Sequence, residues 1–398
     1  MLSAPCSMLL GFMRAQGSVL IVAPAPPPYG GMALQGQTLC ELLRREGVGV
    51  EFVSTNPKLR WPFSQIKGLR TLAESLVFLI YLCRGLRRAA VVHVLAASYL
   101  YFFLRVVPAV LLARLGGRRV IVNYRGGLAA PFFAAWGWMT QPILRLAHVI
   151  MVPSRFLERV FAEHGLRVQI IPNLVDLQHL SQESVSADDQ ASKMSEEESS
   201  QASKASCRRL STSNHAPRLL VTRNLEPIYN VRMALEAFAI IKTKYPNSRL
   251  DIVGTGQEES ALKNWVDGKR LKDVVFHGAV PNEQIPVFLK QADIFLNPSH
   301  ADNMPISLLE AFACGVPVVS TRVGGIPDLV GEDKAALLVE PGNSAQMAEK
   351  IEEILTNPER AKRLTTYARD LCKAFTWEAI RDRLLTVYYP QNQEARRL

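Results

Sequence analysis

Two carboxylates eight positions apart, Asp302 and Glu310, bracket a segment that reads as the start of a helix. Pro305 suits a first helical turn, because the N–H it lacks would have no intrahelical partner there. Ile306, Leu309 and Phe312 follow at helical spacing, and Gly315 with Pro317 closes the helix. A helix N-terminus carries free N–H groups and the positive end of the helix dipole, and so offers a site for a phosphate. Glu310 falls about one and a half turns inside. Taken alone, the pattern also fits a purely structural arrangement, with Asp302 as an N-cap worth about 1 kcal/mol and Glu310 on a solvated face.

The surrounding segments decide what such a pair is attached to. Asp293 to Leu296 is an apolar strand closed by Asn297-Pro298-Ser299, Val316 to Ser320 is a second, and Gly324-Gly325 precedes a further helix. Upstream, strands are predicted at Arg218–Thr222, Leu250–Val253 (before Gly254-Thr255-Gly256) and Val274–His277, with a helix over Val231–Lys244. Amphipathic helices over 346–355, 358–375 and 377–388 end the chain. The first half repeats the alternation. Ser18–Ala23 reads as a strand, Gly30-Gly31 as a loop, Met32–Glu46 as a helix and Val48–Val53 as a strand. That is a βαβ unit, implying a parallel, doubly wound sheet. The paired glycines allow close backbone approach to a ligand at the first helix N-terminus. The GxGxxG dinucleotide fingerprint is absent. Leu69–Leu86 and Ser98–Leu115 read as long apolar helices around the strand 91–95. The stretch 89–113 is broken by His93, Arg105 and Pro108, which favours a buried strand and a core or interfacial helix over a membrane span. Pro131 to Trp138 reads as an aromatic loop suited to an apolar acceptor. The alternation therefore gives an α/β chain with two such domains.

At 398 residues two domains are expected. Residues 181–216, rich in Ser, Glu and Lys, read as a disordered linker. Residues 1–17 lack a basic leader and read as a flexible or misassigned extension rather than a signal peptide. Six cysteines without CxxC spacing suit a reducing compartment and give no metal site. Residues 1–180 hold 19 Lys/Arg against 7 Asp/Glu, whereas the remaining 27 basic and 29 acidic residues balance. Basic residues flanking apolar helices point to an anionic membrane surface, and without interleaved aromatics they do not point to nucleic acid.

Together these motifs resemble glycosyltransferase family 4, the nucleotide-sugar-dependent retaining glycosyltransferases of GT-B architecture. The pattern is an acidic residue, seven residues, then Glu-Ala-x-Ala-x-Gly-x-Pro-Val-Val. Here it runs from Asp302 through Glu310 to Val319. Val323–Pro327, Pro341-Gly342 and Gly30-Gly31 stand where the family has them. The resemblance implies two Rossmann-like domains facing a cleft: 18–180 on the acceptor side and 217–376 for the nucleotide-sugar, with 377–398 packing back on the first. It implies catalytic roles for Asp302, Glu310 and Arg223. Donor contacts would come from Gly30, Gly31, Arg223, Tyr229, Gly278, Val280, Asp302, Asn303, Met304, Pro305 and Glu310. Glu310 would accept the ribose hydroxyls, Asp302 would bind the transferred sugar and Arg223 would face the diphosphate. Arg125 and His93 are candidates for touching acceptor or phosphate.

The sequence departs from the family in carrying Asp rather than Glu at 302, Tyr229 where a Lys is usual, and Arg125 where a His is frequent. Arg322 or the helix ends would then make up for the missing cation. The implied activity is transfer of a sugar, with retention, to a glycan or lipid-linked acceptor in polysaccharide or glycolipid synthesis. It needs no metal or other cofactor, and the basic, apolar first half points to peripheral docking at the cytoplasmic face of a membrane. A nucleotide-sugar epimerase and a non-catalytic sugar-nucleotide-binding protein are the alternatives.

Overall fold

β-Branched runs buried on both faces set the architecture, as expected where helices cover both sides of a parallel sheet. The computed structural model describes residues 18–27, 30–57, 67–175 and 216–390. The expected extension at 1–17 and nearly all of the expected linker at 181–216 lie outside them. The chain divides into two compact units, one comprising 1–174 with 380–398 and the other 175–379.

The first unit alternates β1 (Ser18–Ala23), α1 (Gly31–Arg45), β2 (Val50–Ser54), α2 (Lys67–Leu86) and β3 (Ala89–Ala96). It continues with α3 (Val107–Leu115), β4 (Arg119–Tyr124), α4 (Ala129–Arg145), β5 (Val149–Val152), α5 (Arg155–Glu163) and β6 (Gln169–Ile170). The strands form a parallel sheet in the order β2-β1-β3-β4-β5-β6. Right-handed crossovers place α1 on one face and α2 to α5 on the other. Alternate strand residues, such as Val92, Val94, Val120 and Val122, meet Phe78, Leu82, Val106 and Phe132 beneath the second layer.

Two expectations for this unit are corrected. The apolar run after Ser98 is not one uniform helix, since a π-helical turn at Phe102–Val106 precedes α3. The segment from Pro131 to Trp138 is not a loop but the body of α4. Phe132 and Phe133 are buried with Phe161 and Tyr124, and that burial outweighs the loop-like composition.

The second unit runs β7 (Arg218–Thr222), α6 (Val231–Lys244), β8 (Arg249–Val253), α7 (Glu259–Gly268), β9 (Val274–Gly278), α8 (Ile285–Gln291), β10 (Ile294–Asn297) and α9 (Ile306–Ala313). Then follow β11 (Val318–Thr321), α10 (Ile326–Val330), β12 (Leu337–Val339), α11 (Ser344–Thr356) and α12 (Pro358–Cys372). Its parallel sheet has the order β12-β11-β10-β7-β8-β9. The chain winds outward from β7 through β8 to β9, then returns to the other side of β7 as β10. The switch point of this sheet therefore lies between β7 and β10, where doubly wound sheets bind ligands beyond their strand ends.

The last helix, α13 (Trp377–Tyr388), passes into the first unit at Ile380. Arg119 Nε donates to the carbonyl of Val387 at 3.0 Å. The hydroxyl of Tyr388 lies 2.6 Å from Nδ1 of His93, on the central strand β3, while the amide of Asn123 lies 3.1 Å from Nε2. His93 has no exposed surface, and burial pushes its pKa down to about 3, so the ring is neutral. With the Asn123 amide donating to Nε2, the proton sits on Nδ1 and is donated to Tyr388. Tyr388→Phe leaves that buried N–H without an acceptor, so we expect a loss of about 1–3 kcal/mol in chemical denaturation.

Candidate functional site

The site is assembled from the loops after β7 and β10, on the two strands that flank the switch point. Arg223 leaves the end of β7, and Ser299 and Asp302 lie in the loop between β10 and α9. One guanidinium nitrogen of Arg223 donates to Ser299 Oγ at 3.0 Å and to the Asp302 carboxylate. The other donates to Ser307 Oγ, in the first turn of α9, at 3.2 Å. The ring of Tyr229 covers the guanidinium face 4.3 Å away, a cation–π contact. The Nε–H of Arg223 is buried and has no protein partner.

Asp302 is not the N-cap of α9. Pro305 holds that position, without a side-chain cap. Asp302 instead accepts from the backbone N–H of Asn303 at 2.8 Å while its other oxygen meets Arg223. The N–H of Asn303, expected to face a diphosphate, is thus engaged by Asp302. The Met304 side chain turns into the core with Leu308 and Phe295.

Glu310 is not on a solvated face either. It is 8% exposed, on the buried side of α9. Burial raises its pKa to about 7, and the nearby charge of Arg223 opposes that rise. Burial in turn lowers the pKa of Arg223, against the raising influences of Tyr229 and Glu310.

Glycines hold the loops at main-chain contact. A Cβ on Gly324, whose φ is +53°, would stand 1.9 Å from the carbonyl oxygen of Asp302, and one on Gly325 would stand 2.3 Å from that of Asn303. Likewise a Cβ on Gly254 would fall 2.1 Å from the carbonyl oxygen of Arg223. Only glycine permits these approaches. Gly278, also expected at the site, accepts from the N–H of Gly254 at 2.8 Å, and Val280 packs against the core.

The remaining expected residues lie elsewhere. Arg322 is committed to Glu332 and Glu340 and does not join the Arg223 cluster. Gly30 and Gly31 belong to the first unit, where Gly30 precedes α1 and a Cβ on it would meet nothing. Arg125 follows β4 and donates to Asn173 at 2.6 Å and Gln35 at 3.3 Å; burial lowers its pKa to about 10. His93, a candidate acceptor contact on sequence grounds, is a core residue within the sheet. Ser299 and Ser307 were not expected. The turn signal at Asn297-Pro298-Ser299 marks the first, and a position three residues before Glu310 on α9 marks the second.

Comparison with known proteins bears on the family and the fold. The family described as "Glycosyl transferases group 1" matches residues 208–371, and "Glycosyltransferase Family 4" matches 29–179. Among curated relatives, an N-acetyl-alpha-D-glucosaminyl L-malate synthase of Bacillus anthracis is 31% identical over 43% of this chain and 45% of its own length. A sulfoquinovosyl transferase of Arabidopsis thaliana is 27% identical over 40% of this chain and 31% of its own. The chain thus spans less than half the length of the curated relatives it matches. Among solved structures, sucrose-phosphate synthase from Thermosynechococcus elongatus shares the fold with a TM-score of 0.73 at 18% identity, covering 95% of this chain and all of the other. The Anabaena protein HepE, solved with UDP and glucose, gives 0.63 at 16% identity, covering 96% of this chain and all of the other.

The raised pKa of Glu310 has a sign. The native state prefers the protonated acid, so its favourable contribution is present below the unfolded pKa near 4.5 and is lost as pH rises through about 7. Glu310→Gln is therefore expected to raise Tm by a few degrees at pH 8 and to change it little at pH 4.5, as measured by calorimetry.

Proposed function

The chain belongs to the family 4 glycosyltransferases of GT-B architecture, and on that premise we propose that it moves a sugar from a nucleotide-diphosphate sugar to a glycan or lipid-linked acceptor, with retention, in polysaccharide or glycolipid synthesis. The observation that carries this reading is the Arg223 cluster at the switch point of the second sheet, with Glu310 buried behind it.

On this reading the departing diphosphate gathers negative charge beside Arg223 and the N-terminus of α9. Charge compensation is assigned to the guanidinium and the helix end, with no metal or cofactor. Glu310, when ionised, has two acceptor oxygens for the paired ribose hydroxyls, and a donor supplies the hydrogen bonds that ionisation needs. Asp302, already tied to Arg223, turns toward hydroxyls of the transferred sugar. The acceptor attacks on the face from which the diphosphate leaves, and a phosphate oxygen takes the acceptor's proton. Tyr229 adds no charge, but its ring holds the Arg223 plane in place.

A thermal-shift screen of nucleoside diphosphates and their sugars tests donor binding, because a ligand of the native state raises Tm with occupancy. We expect at least one diphosphate to raise Tm and Glu310→Ala to remove that rise. Sugar transfer should fall about 100–1000-fold in Arg223→Ala. A sugar interconverted without any acceptor would instead identify an epimerase. An inverted anomer in the product would overturn retention.

A further inference from the structure

α2 carries apolar residues on two opposite sides. Phe78 and Leu82 are buried against the sheet, whereas Leu69, Leu72, Leu76 and Ile80 project from the opposite side, each more than half exposed. The spacing of three and four residues puts these four on one stripe. A helix with two apolar sides presents one to its core and the other outward. No helix among the described residues is long and apolar enough to cross a membrane. The outer stripe is therefore a surface and not part of a span.

The stripe does not stand alone. α3 packs against both α2 and α4 on the same face of the sheet, and this layer also exposes Leu115 at 84% and Trp138 at 75%. Exposed apolar side chains on three neighbouring helices of one layer mark a candidate docking face.

Charge selects the occupant. From Lys67 to Arg145 the sequence holds eleven Lys/Arg and a single carboxylate, Glu74, whose partner is Arg70 at 2.7 Å on the same helix. Arg84 and Arg87 are exposed at the end of α2, and Arg114 is exposed beside Leu115. A second copy of this face would bring like charge against like charge. An anionic lipid surface matches both components, because leucines enter the acyl boundary, a tryptophan suits the headgroup level and arginines reach phosphates.

We propose that the outer face of the α2–α3–α4 layer docks on an anionic lipid bilayer. The docking stands apart from the sugar-transfer reading. Only its consequence, that a lipid-linked acceptor is met at that surface, rests on that reading.

The test is co-sedimentation of the full chain with phosphatidylcholine vesicles, with and without phosphatidylglycerol, in the absence of any sugar donor. Binding is expected on the phosphatidylglycerol vesicles and at least tenfold weaker on phosphatidylcholine alone or in about 0.5 M NaCl. The double variant Leu76→Glu/Ile80→Glu should lose binding at least tenfold with Tm unchanged. Should that variant fail to fold, Arg84→Glu/Arg87→Glu, made at exposed positions, should lose it as well. Failure of the wild-type chain to bind phosphatidylglycerol vesicles overturns the proposal, as does wild-type binding by a folded apolar-to-Glu variant. A dimer in vesicle-free solution that the variant dissolves would assign the face to a second copy instead, and so overturn it. Nucleotide thermal shifts on the same samples separate failure of the docking from failure of the transferase reading.

Discussion

A buried guanidinium is the constraint from which the second unit's site follows. Moving a charge out of water is costly unless it is paired and hydrogen-bonded. Arg223 is supplied with a carboxylate, two hydroxyls and an aromatic face. These partners come from both sides of the switch point, so satisfying one charge fixes the loop after β7, the loop after β10 and the first turn of α9 together. Glu310 feels the same charge, which opposes the effect of its own burial. The site is one coupled electrostatic unit.

The first unit solves a different problem. Its sheet carries a buried polar chain, Asn123 to His93 to Tyr388, in which each ring nitrogen has a partner and no net charge is held. That chain ties the C-terminal helix to β3. It uses up the one histidine that, from its place in the sequence, looked available for a ligand. On the opposite face of the sheet, the same unit leaves its helix layer apolar outside as well as inside.

Much of this was legible in residue spacing. Pro305 and Gly315 bounded α9 to within about two residues, because each supplies a backbone property the helix end requires. The alternation of strand and helix gave both sheets. What escaped were facts that depend on distant partners. The 79 positions between Arg223 and Asp302 hide an ion pair that only the strand order creates. A Glu in an amphipathic-looking helix reads as solvated until neighbouring elements cover it. The stretch from Pro131 to Trp138 carries loop-like Pro, Gly and small residues, and only the burial of Phe132 and Phe133 reveals the helix. Tyr229 read as a missing cation, but the ring is a partner of the cation that is present.

The glycines at 254, 324 and 325 add a second constraint to the one set by the buried charge. They set the site loops by contact between main chains, and such contact is indifferent to which side chains the loops carry. Tyr229 and Asp302 bear on the same frame through their side chains, because both are partners of the buried Arg223 charge. Any side chain at those glycines would dismantle the frame by main-chain collision. Main-chain contact and charge pairing thus constrain different atoms of the same short loops.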